Sequence, residues 1–331
     1  HLSLEQCSSE ITARYKARLF QGDSLTDLTG GFGIDCSFLA TGFKSATYVE
    51  RQEELCEIAA HNFPILNLNH INVRNEDGVA YLQTMSPVDC IFLDPARRNE
   101  HGGKTVAISD CEPNVAELEA LLLSKANRVM IKLSPMLDLS LALKELKHTQ
   151  EIHILSVNNE CKELLILLRQ TSPAEIAIHC VNLLTKGTQE EQHLVFTREQ
   201  EQRSQCTYTD SLGNYLYEPN ASLLKAGAFR SIAAAYPVRK LHPNSHLYIS
   251  DSFIENFPGR IFRIVNQCSF NKKEVKENLA DLKKANVTVR NFPATVAELR
   301  KRLHLTEGGD TYLFASTLNN GQKVIIRCEK V

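Results

Sequence analysis

The stretch Asp27-Leu28-Thr29-Gly30-Gly31-Phe32-Gly33 decides the fold, because it places three glycines between a predicted first strand and a short predicted helix. Glycine lets the backbone turn sharply and approach a ligand without an intervening Cβ atom. Backbone amides at the start of the following helix can then receive a polar group of that ligand. The stretch therefore predicts a ligand-binding loop, with these candidate residues: Asp27, Thr29, Gly30, Gly31, Phe32 and Gly33.

Two classes of ligand fit such a loop. A dinucleotide-binding turn has the pattern G-x-G-x-x-G, but a pattern starting at Gly31 requires a third glycine at position 36, which is Cys36. Asp27 would repel a pyrophosphate, whereas it suits a ligand with an ammonium group, such as the methionine part of S-adenosylmethionine. The loop thus favours S-adenosylmethionine, and a turn that binds no ligand is the remaining interpretation.

Acidic residues stand where the next predicted strands end. Glu50 ends the second strand, where a carboxylate can accept both ribose hydroxyls of an adenosine. Asp77 follows the third strand and suits an adenine amino group, and Asp94 follows the fourth. Because ligands of open α/β sheets bind at the carboxyl ends of the strands, we expect these acids to converge with the glycine loop on one crevice. The adjacent Arg51 and Gly78 complete the predicted cofactor-binding set.

Short apolar runs alternate with segments of helical periodicity from Leu25 to about Gln170, which predicts a parallel sheet covered on both faces. Two later runs, 151–157 and 163–169, are joined by only five residues. This connection is too short for a crossover helix, so the two strands should pair antiparallel. The predicted fold class is α/β, a Rossmann-like parallel sheet with an antiparallel last strand, followed by smaller α+β domains.

At 331 residues the chain has room for two or three domains. The second half is predicted to contain a polar loop at 197–205, one helix around 222–236, and a final β-α-β-α-β-β unit. In that unit Asn320-Gly321 is the signal of a two-residue type I′ hairpin loop. The predicted segments are an N-terminal helix at 1–22, which fits the end of a longer N-terminal region, the sheet domain at 23–171, a small α+β domain at 172–258 and a basic α+β domain at 259–331.

Composition excludes several classes of protein. A hydrophobic fraction of 43% and a formal net charge of −2 exclude a mainly disordered chain. No apolar run approaches the roughly 20 residues that span a bilayer, so no membrane partner is predicted. The ten cysteines form no C-x-x-C pair, which argues against a zinc ribbon and fits reduced thiols in a cytoplasmic protein. His242 and His246 have the spacing of a metal pair, but Pro243 breaks the helix that would align them, so no metal site is predicted.

Positive charge is concentrated near the C-terminus. From Gly259 onward, fourteen Lys and Arg residues stand against seven Asp and Glu residues, a local charge of +7. Such a surface attracts a phosphate backbone, although a solvated face of mixed charge is the alternative. The candidate RNA-binding residues lie on two predicted helices and are Lys272, Lys273, Lys276, Arg300 and Lys301.

Residues 25–170 resemble a class I S-adenosylmethionine-dependent methyltransferase. The whole chain resembles the bacterial group in which that domain is followed by a C-terminal THUMP-like domain. The match runs through the glycine loop, Glu50, Asp77 and Asp94-Pro95-Ala96-Arg97, and also through QCSSEITARYKA (6–17) and GGDTYLFAST (308–317). The resemblance implies a methyltransferase sheet followed by smaller domains, the last of them ferredoxin-like or THUMP-like.

By this resemblance, Asp27 and the glycines hold the methionine end of the cofactor, Glu50 its ribose and Asp77 its adenine. Asp94-Pro95-Ala96-Arg97 occupies the position of the Asp/Asn-Pro-Pro-aromatic motif of enzymes that methylate exocyclic base nitrogens. Asp94, Pro95 and Arg97 are therefore the candidate catalytic residues. Ala96 replaces the second proline and Arg97 the aromatic residue, and this departure puts methylation of a base in question.

Three further features bear on the site. Arg97 and Arg98 suit a phosphate or carboxylate of the substrate, and the long loop after them is expected to close over it. Lys132 ends the fifth strand, where a place in the crevice and a place at the surface are equally compatible with the pattern. The first helix offers Arg14, Tyr15 and Lys16 as a cover for the cofactor pocket.

The sequence thus predicts a cytoplasmic methyltransferase that uses S-adenosylmethionine and acts on RNA, tRNA being favoured over rRNA, with the C-terminal domain presenting the substrate. A non-catalytic RNA-binding protein with a degenerate Asp94 loop is the second hypothesis. A methyltransferase for a protein or a small molecule is the third, and a nicotinamide oxidoreductase is the fourth.

Overall fold

The computed structural model describes residues 7–97, 107–171, 173–186 and 191–331, the side chain of Arg97 excepted. The chain forms two units, His1–Thr185 and Lys186–Val331. Among the described residues, no helix has the length and apolar character needed to cross a membrane.

The first unit alternates strands and helices as the sequence predicts. Apolar runs form the strands, and the segments between them form the helices. Its elements are α1 (Glu10–Leu19), β1 (Gly22–Asp27), α2 (Ile34–Leu39), β2 (Phe43–Glu50), α3 (Glu53–Ile65), β3 (Ile71–Asn75), α4 (Gly78–Thr84), β4 (Val88–Leu93), β5 (Ala96–Arg97), β6 (Cys111–Glu112), α5 (Val115–Lys125), β7 (Ala126–Leu133), α6 (Leu139–Glu145), β8 (Thr149–Val157), β9 (Glu160–Arg169) and β10 (Ala177–Leu183).

The main strands of this unit lie in the order β10-β8-β9-β7-β4-β1-β2-β3. β9 is antiparallel to both of its neighbours, and the other pairs are parallel. The central strands are buried along most of their length, as in Ile91–Leu93 and Val129–Ile131, because helices cover both faces of a parallel sheet. The predicted fold class is confirmed.

The antiparallel strand follows from the tight turn before it. Asn158 and Asn159 have φ angles of 49° and 70°, and Val157 pairs with Glu160. A two-residue type I′ loop requires positive φ at both positions, which asparagine tolerates better than most residues. The chain therefore reverses at once, and β9 enters between β8 and β7.

The sheet continues beyond its expected end near Gln170. β10 pairs in parallel with β8, from Ala177 opposite Glu151 to Leu183 opposite Val157. The sequence predicts this run in the following α+β domain, at 172–258. A parallel partner is distant in sequence, so the local pattern of a short strand does not reveal which sheet it joins.

The second unit is built around one mixed sheet in the order β13-β14-β12-β15-β18-β17-β16. Its last part, from β15 to β18, is the predicted β-α-β-α-β-β unit. The elements are β11 (Glu191–Thr197), α7 (Arg198–Arg203), β12 (Tyr215–Pro219), α8 (Ala221–Ala226), α9 (Phe229–Ala235), β13 (Arg239–Lys240), β14 (Tyr248–Ser250), β15 (Gly259–Ser269), α10 (Lys272–Leu279), β16 (Asn286–Val289), α11 (Val296–Leu303), β17 (Thr311–Thr317) and β18 (Lys323–Lys330).

Two local predictions in this unit are wrong. The predicted polar loop at 197–205 contains the short helix α7, which starts with a capping box between Thr197 and Gln200. The single helix expected around 222–236 is two helices, α8 and α9. Gly227 separates them, because its φ of 73° ends α8 in the left-handed region.

The loop of the final hairpin also differs from the prediction. Thr317 pairs with Lys323, so the strands end before Asn320-Gly321. Only Gly321 of that pair has a positive φ, at 86°, whereas a type I′ loop needs two. Gly321 donates its backbone N–H to the carbonyl of Leu318 at 2.9 Å, which closes a longer turn.

Candidate functional site

A cavity of about 700 Å³ lies where β1, β2, β3 and β4 end. Chain segments from five places in the first unit form its wall. Eight of the predicted site residues line it: Thr29, Gly31, Phe32, Glu50, Arg51, Asp77, Gly78 and Asp94. Of the other predicted site residues in this unit, Asp27, Gly30, Gly33 and Pro95 are buried and are not part of the lining.

The structure gives a separate reason for glycine at each of the three glycine positions of the loop. A Cβ atom at Gly30 would lie 2.2 Å from the ring of Tyr48, and Gly31 and Gly33 have φ angles of 53° and 74°. The space beside Gly31 is open, since the nearest atom to its Cβ position is the carbonyl oxygen of Thr29 at 3.8 Å. Gly30 therefore serves packing, whereas Gly31 leaves room along the cavity wall.

Glu50 fastens the glycine loop to the end of β2. Its Oε2 accepts the backbone N–H of Gly31 at 2.9 Å, and its Oε1 accepts that of Gln52 at 2.9 Å. The residue is only 8% exposed, but it lines the cavity. Each carboxylate oxygen can accept more than one hydrogen bond, so Glu50 shapes the loop and still offers acceptors to a ligand.

Asp77 is the N-cap of α4. Its Oδ1 accepts the backbone N–H groups of Val79 and Ala80, both at 3.0 Å. Both cap bonds use Oδ1, which leaves Oδ2 as the oxygen available to a ligand. The following Gly78 is required by packing, because a Cβ atom there would lie 2.1 Å from the carbonyl oxygen of Leu28.

Asp27 lies at the end of β1, directly before Leu28 and Thr29, which line the cavity. It is 1% exposed, and its Oδ1 accepts the backbone N–H of Thr29 at 3.0 Å. Burial raises the pKa of the Asp27 carboxyl to about 8. The group is therefore mostly uncharged at neutral pH in the protein without a ligand.

Asp94 is held at both its backbone and its side chain. Its backbone N–H donates to Thr29 Oγ1 at 2.6 Å, and its Oδ2 lies 2.6 Å from Lys132 Nζ. Burial raises the pKa of the Asp94 carboxyl, and the Lys132 ammonium acts in the opposite direction. Lys132, which the sequence left undecided, thus belongs to the site.

The chain after Asp94 forms a small ribbon. Pro95 is buried, and Ala96 in β5 pairs with Glu112 in β6. The backbone of Arg97 belongs to β5. Its side chain, together with Arg98 and the following loop to residue 106, lies outside the described residues.

Sequence reasoning missed the wall that β6 and α5 provide. Glu112, Asn114 and Glu117 of this wall line the cavity, and so does Gln52, the N-cap of α3. Asn114 caps α5 by accepting the backbone N–H of Ala116 at 3.2 Å. An asparagine before the apolar run at 115–123 is a helix-start signal that would have placed this segment near the crevice.

The cavity carries mostly negative charge. Five acidic residues line it, and Arg51 is the one basic residue of the lining within the described part of the chain. Arg51 pairs with Glu112 at 3.4 Å. Such a lining attracts cations and opposes phosphate groups. It is therefore unsuited to the pyrophosphate of a nicotinamide dinucleotide.

The first helix does not cover this cavity. Tyr15 is buried, with its hydroxyl 2.8 Å from His153 Nδ1, and Lys16 is fully buried. Arg14 is exposed and pairs with Glu10 at 2.7 Å. None of these three residues lines the cavity, so the expectation of a pocket cover is wrong. Residues 1–6 of the N-terminal helix predicted at 1–22 lie outside the described residues.

Glu151, His153 and His179 place three potential metal-ligand atoms within 4.8 Å of one another. The two imidazole rings are stacked, however, with centroids 4.3 Å apart and 12° between their planes. A ring nitrogen binds a metal in the plane of its ring, so two stacked rings cannot both bind one ion in this arrangement. His153 Nε2 lies 3.3 Å from Glu151 instead, which makes the cluster a packing contact between β8 and β10.

The predicted RNA-binding residues lie in the second unit. Lys272, Lys273 and Lys276 are exposed on α10, and Lys301 is exposed on α11. Both helices pack against one apolar core through Leu279 and Leu299, among others. Arg300 differs, because it is 26% exposed and pairs with Glu307 at 3.1 Å.

Comparisons with known proteins agree with this architecture. Residues 215–258 match the profile of a ferredoxin-like domain, and residues 259–330 match that of a THUMP-like domain. The crystal structure of a candidate methyltransferase from Porphyromonas gingivalis W83 matches with a TM-score of 0.90 and 37% identity, over 99% of this chain and 82% of that one. No curated protein sequence matches the chain.

Shorter matches cover about half of the chain. A candidate methyltransferase from Streptococcus mutans, solved in complex with SAH, has a TM-score of 0.34 and 12% identity over 48% of this chain and 96% of that one. An rRNA methylase from Streptococcus thermophilus has a TM-score of 0.34 and 14% identity over 48% and 93%.

The sheet order, the glycine loop at its first turn and the full-length match define a methyltransferase of class I. The chain belongs to the bacterial group of the methyltransferase family in which a THUMP-like domain follows the methyltransferase domain.

Proposed function

We propose that the protein transfers a methyl group from S-adenosylmethionine to RNA, with tRNA as the favoured substrate, at an acceptor site formed by Asp94-Pro95-Ala96-Arg97. One observation carries the proposal: Gly31, Glu50, Asp77 and Asp94 border a single cavity at the carboxyl ends of parallel strands. This edge is where open α/β sheets bind their ligands.

The cavity fits the cofactor in size and charge. A volume of about 700 Å³ falls within the ~300–1,000 Å³ of small-molecule pockets. The open space beside Gly31 leaves room for a ligand at the wall, and the acidic lining suits a molecule that carries a sulfonium and an ammonium group. Glu50 would hold the ribose, Asp77 the adenine, and the loop with Asp27 the methionine end.

The protein's own part in the chemistry is chiefly positioning. The cofactor supplies a sulfonium methyl group that is already activated for displacement. Asp94 would accept a hydrogen bond from the acceptor group and orient it in line with that methyl group, while the buried Pro95 fixes the backbone. Arg97, in the place of an aromatic residue, would contact a phosphate of the substrate.

The second unit supports RNA as the substrate. Its THUMP-like match covers residues 259–330, and α10 and α11 expose Lys272, Lys273, Lys276 and Lys301. Lysines of this kind bind a phosphate backbone by displacing its counterions. Arg300 would contribute a further positive charge to this surface if its ion pair with Glu307 opened.

Mass spectrometry of nucleosides from tRNA and rRNA tests the proposal. Cells lacking the gene should lack one methylated nucleoside, which the wild-type gene and Asp138→Ala restore and Asp94→Ala does not. Asp138 is a suitable control because it caps α6 and is not among the residues that line the cavity. Identical nucleoside profiles with and without the gene would contradict RNA methylation.

A protein or small-molecule acceptor is the second candidate, favoured by one observation. Glu112 and Glu117 are exposed at the cavity, and they would repel a phosphate but attract an amine. In that case, the methyl group of labelled cofactor appears in the protein or small-molecule fraction while RNA stays unlabelled. Salt-dependent tRNA binding without transfer to any fraction would instead indicate a non-catalytic RNA-binding protein.

A further inference from the structure

Lys132 is fixed by three contacts at the end of β7. It is 8% exposed, and its Nζ lies 2.6 Å from Asp94 Oδ2, 3.1 Å from Asp35 Oδ2 and 3.1 Å from Ser8 Oγ. An ammonium group has three protons to donate. The three contacts use all three protons, and their acceptors lie in different parts of the chain. Together they fix the position of the ammonium group.

A second buried lysine contacts the same aspartate, Asp35, as Lys132 does. Lys16 on α1 is fully buried, and its Nζ lies 2.9 Å from Asp35 Oδ1 and 2.6 Å from Glu163 Oε2. Ser8 connects the two lysines, because its Oγ also accepts a hydrogen bond from Lys16 at 2.8 Å. The charges therefore alternate along one buried row, Asp94–Lys132–Asp35–Lys16–Glu163.

A contribution to the stability of the fold does not by itself explain such a row of buried charges. Removing charges from water costs several kcal/mol per ion, and well-packed apolar residues often stabilise a protein as well or better. The row also ends at Asp94, whose side chain is 38% exposed while the other members are at most 10% exposed. The row thus connects four buried charged side chains with Asp94, a residue of the cavity wall.

We propose that Lys132 is a positioning residue for methyl transfer, which holds Asp94 Oδ2 so that Oδ1 accepts a hydrogen bond from the acceptor group. This inference rests on the proposed function. Asp35, Lys16 and Glu163 hold Lys132 in turn. For an amine acceptor, the nitrogen forms a bond to the methyl carbon while the carbon–sulfur bond breaks and its electron pair stays on sulfur. The extra proton on nitrogen then passes to solvent.

The proposal predicts a change in the pH profile of the reaction. Within the described part of the chain, the charged and titratable groups around Asp94 are Lys132, Lys16, Asp27 and Asp35, together with Cys7. Lys132 favours the ionised form of Asp94, so its loss raises the pKa of that carboxyl. The acid limb of kcat/KM should therefore move to higher pH in Lys132→Met and stay near its wild-type position in Lys132→Arg, which keeps the charge.

The experiment follows transfer of tritium from methyl-labelled S-adenosylmethionine to total RNA from a strain that lacks the gene, over a range of pH. Lys132→Met should lower kcat about 10- to 100-fold with little change in KM for the cofactor. Lys132→Arg should recover part of the loss. Lys125→Met is the matched control, because Lys125 donates to the backbone carbonyl of Met85 and not to the row.

Should Lys132→Met unfold, Asp35→Asn replaces it, since this change loosens the hold on Lys132 without removing an ammonium group. Its kcat should also fall, because Lys132 is held less firmly, whereas its acid limb should move to lower pH, because the variant removes the negative charge of Asp35 that raises the pKa of Asp94. A wild-type enzyme that labels no RNA overturns the proposed function and this inference with it. An active wild type with unchanged kcat and unchanged acid limb in the folded variants overturns the positioning role alone.

Discussion

At the scale of single residues, the protonation state of Asp27 offers a test of the proposed ligand. Burial raises the pKa of this carboxyl to about 8, because an ion is costly to keep where water is excluded. A ligand with an ammonium group beside Asp27 would reverse that preference. Cofactor binding should then release the proton that Asp27 carries.

Calorimetry of S-adenosylmethionine binding at pH 7, in buffers of different ionisation enthalpy, measures this proton. Because burial raises its pKa to about 8, Asp27 should release most of a proton on full ionisation at this pH. Asp27→Asn should bind more weakly and release almost none. If the wild type releases no proton, Asp27 orders the loop through Thr29 without contacting the ammonium group.

The same pKa makes a prediction for stability. The folded protein retains the Asp27 proton at pH values where the unfolded chain has lost it, so this residue makes stability fall between about pH 4 and pH 8. Asp27→Asn should flatten that fall in urea unfolding curves. An unchanged slope in the variant would contradict the raised pKa.

At the scale of elements, the start of α4 combines a cap with a candidate ligand contact. Asp77 caps the helix through Oδ1, and its carboxylate borders the cavity. Serine can cap a helix about as well as aspartate, but it cannot present a carboxylate. Replacement by serine therefore separates the two roles.

Asp77→Ser should keep near wild-type melting behaviour and lose about 10- to 100-fold in cofactor affinity, as expected for a hydrogen bond to a charged group. Asp77→Ala should also lose about 1 kcal/mol of stability with the cap. Asp138→Ala is the matched control, since Asp138 caps α6 through the same two-bond geometry and should lose stability only. Wild-type affinity in Asp77→Ser would reduce Asp77 to a helix cap.

Helices and strands could be predicted where the local sequence pattern itself determines the structure. Buried apolar runs indicated β4 and β7, and the short connection at 158–162 indicated the antiparallel β9. The helix α7 was missed although its capping box is visible in the sequence. The sheet partner of β10 and the row behind Asp94 depend on residues far apart in the chain, so no local pattern contained them.

At the scale of the whole molecule, net positive charge is concentrated in the C-terminal part, from Gly259 onward. The candidate ligand residues Lys272, Lys273 and Lys276 share one helix, whereas the cavity of the first unit is acidic. Charge counts along the sequence are enough to predict this contrast. They do not predict the pairing of Arg300 with Glu307, which depends on how α11 ends.

Replacing Lys272, Lys273 and Lys276 together with glutamine should weaken tRNA binding and flatten its salt dependence. Each phosphate contact contributes about 0.7 to 0.9 to the slope of log K against log salt, so the slope should fall by about 2 to 3. The control replaces Lys44, Lys144 and Lys162, which removes equal charge from the first unit. Equal losses in both triple variants would point to net charge instead of a binding surface.

The central claim is that the cavity at the strand ends binds S-adenosylmethionine, and calorimetry of wild type, Glu50→Gln and Glu53→Gln tests it most directly. Glu53 is an exposed residue of α3 that does not belong to the lining described here. The account predicts micromolar binding by the wild type and Glu53→Gln, and a loss of about 10-fold or more in a folded Glu50→Gln. No binding by the wild type, or equal binding by all three, would contradict it.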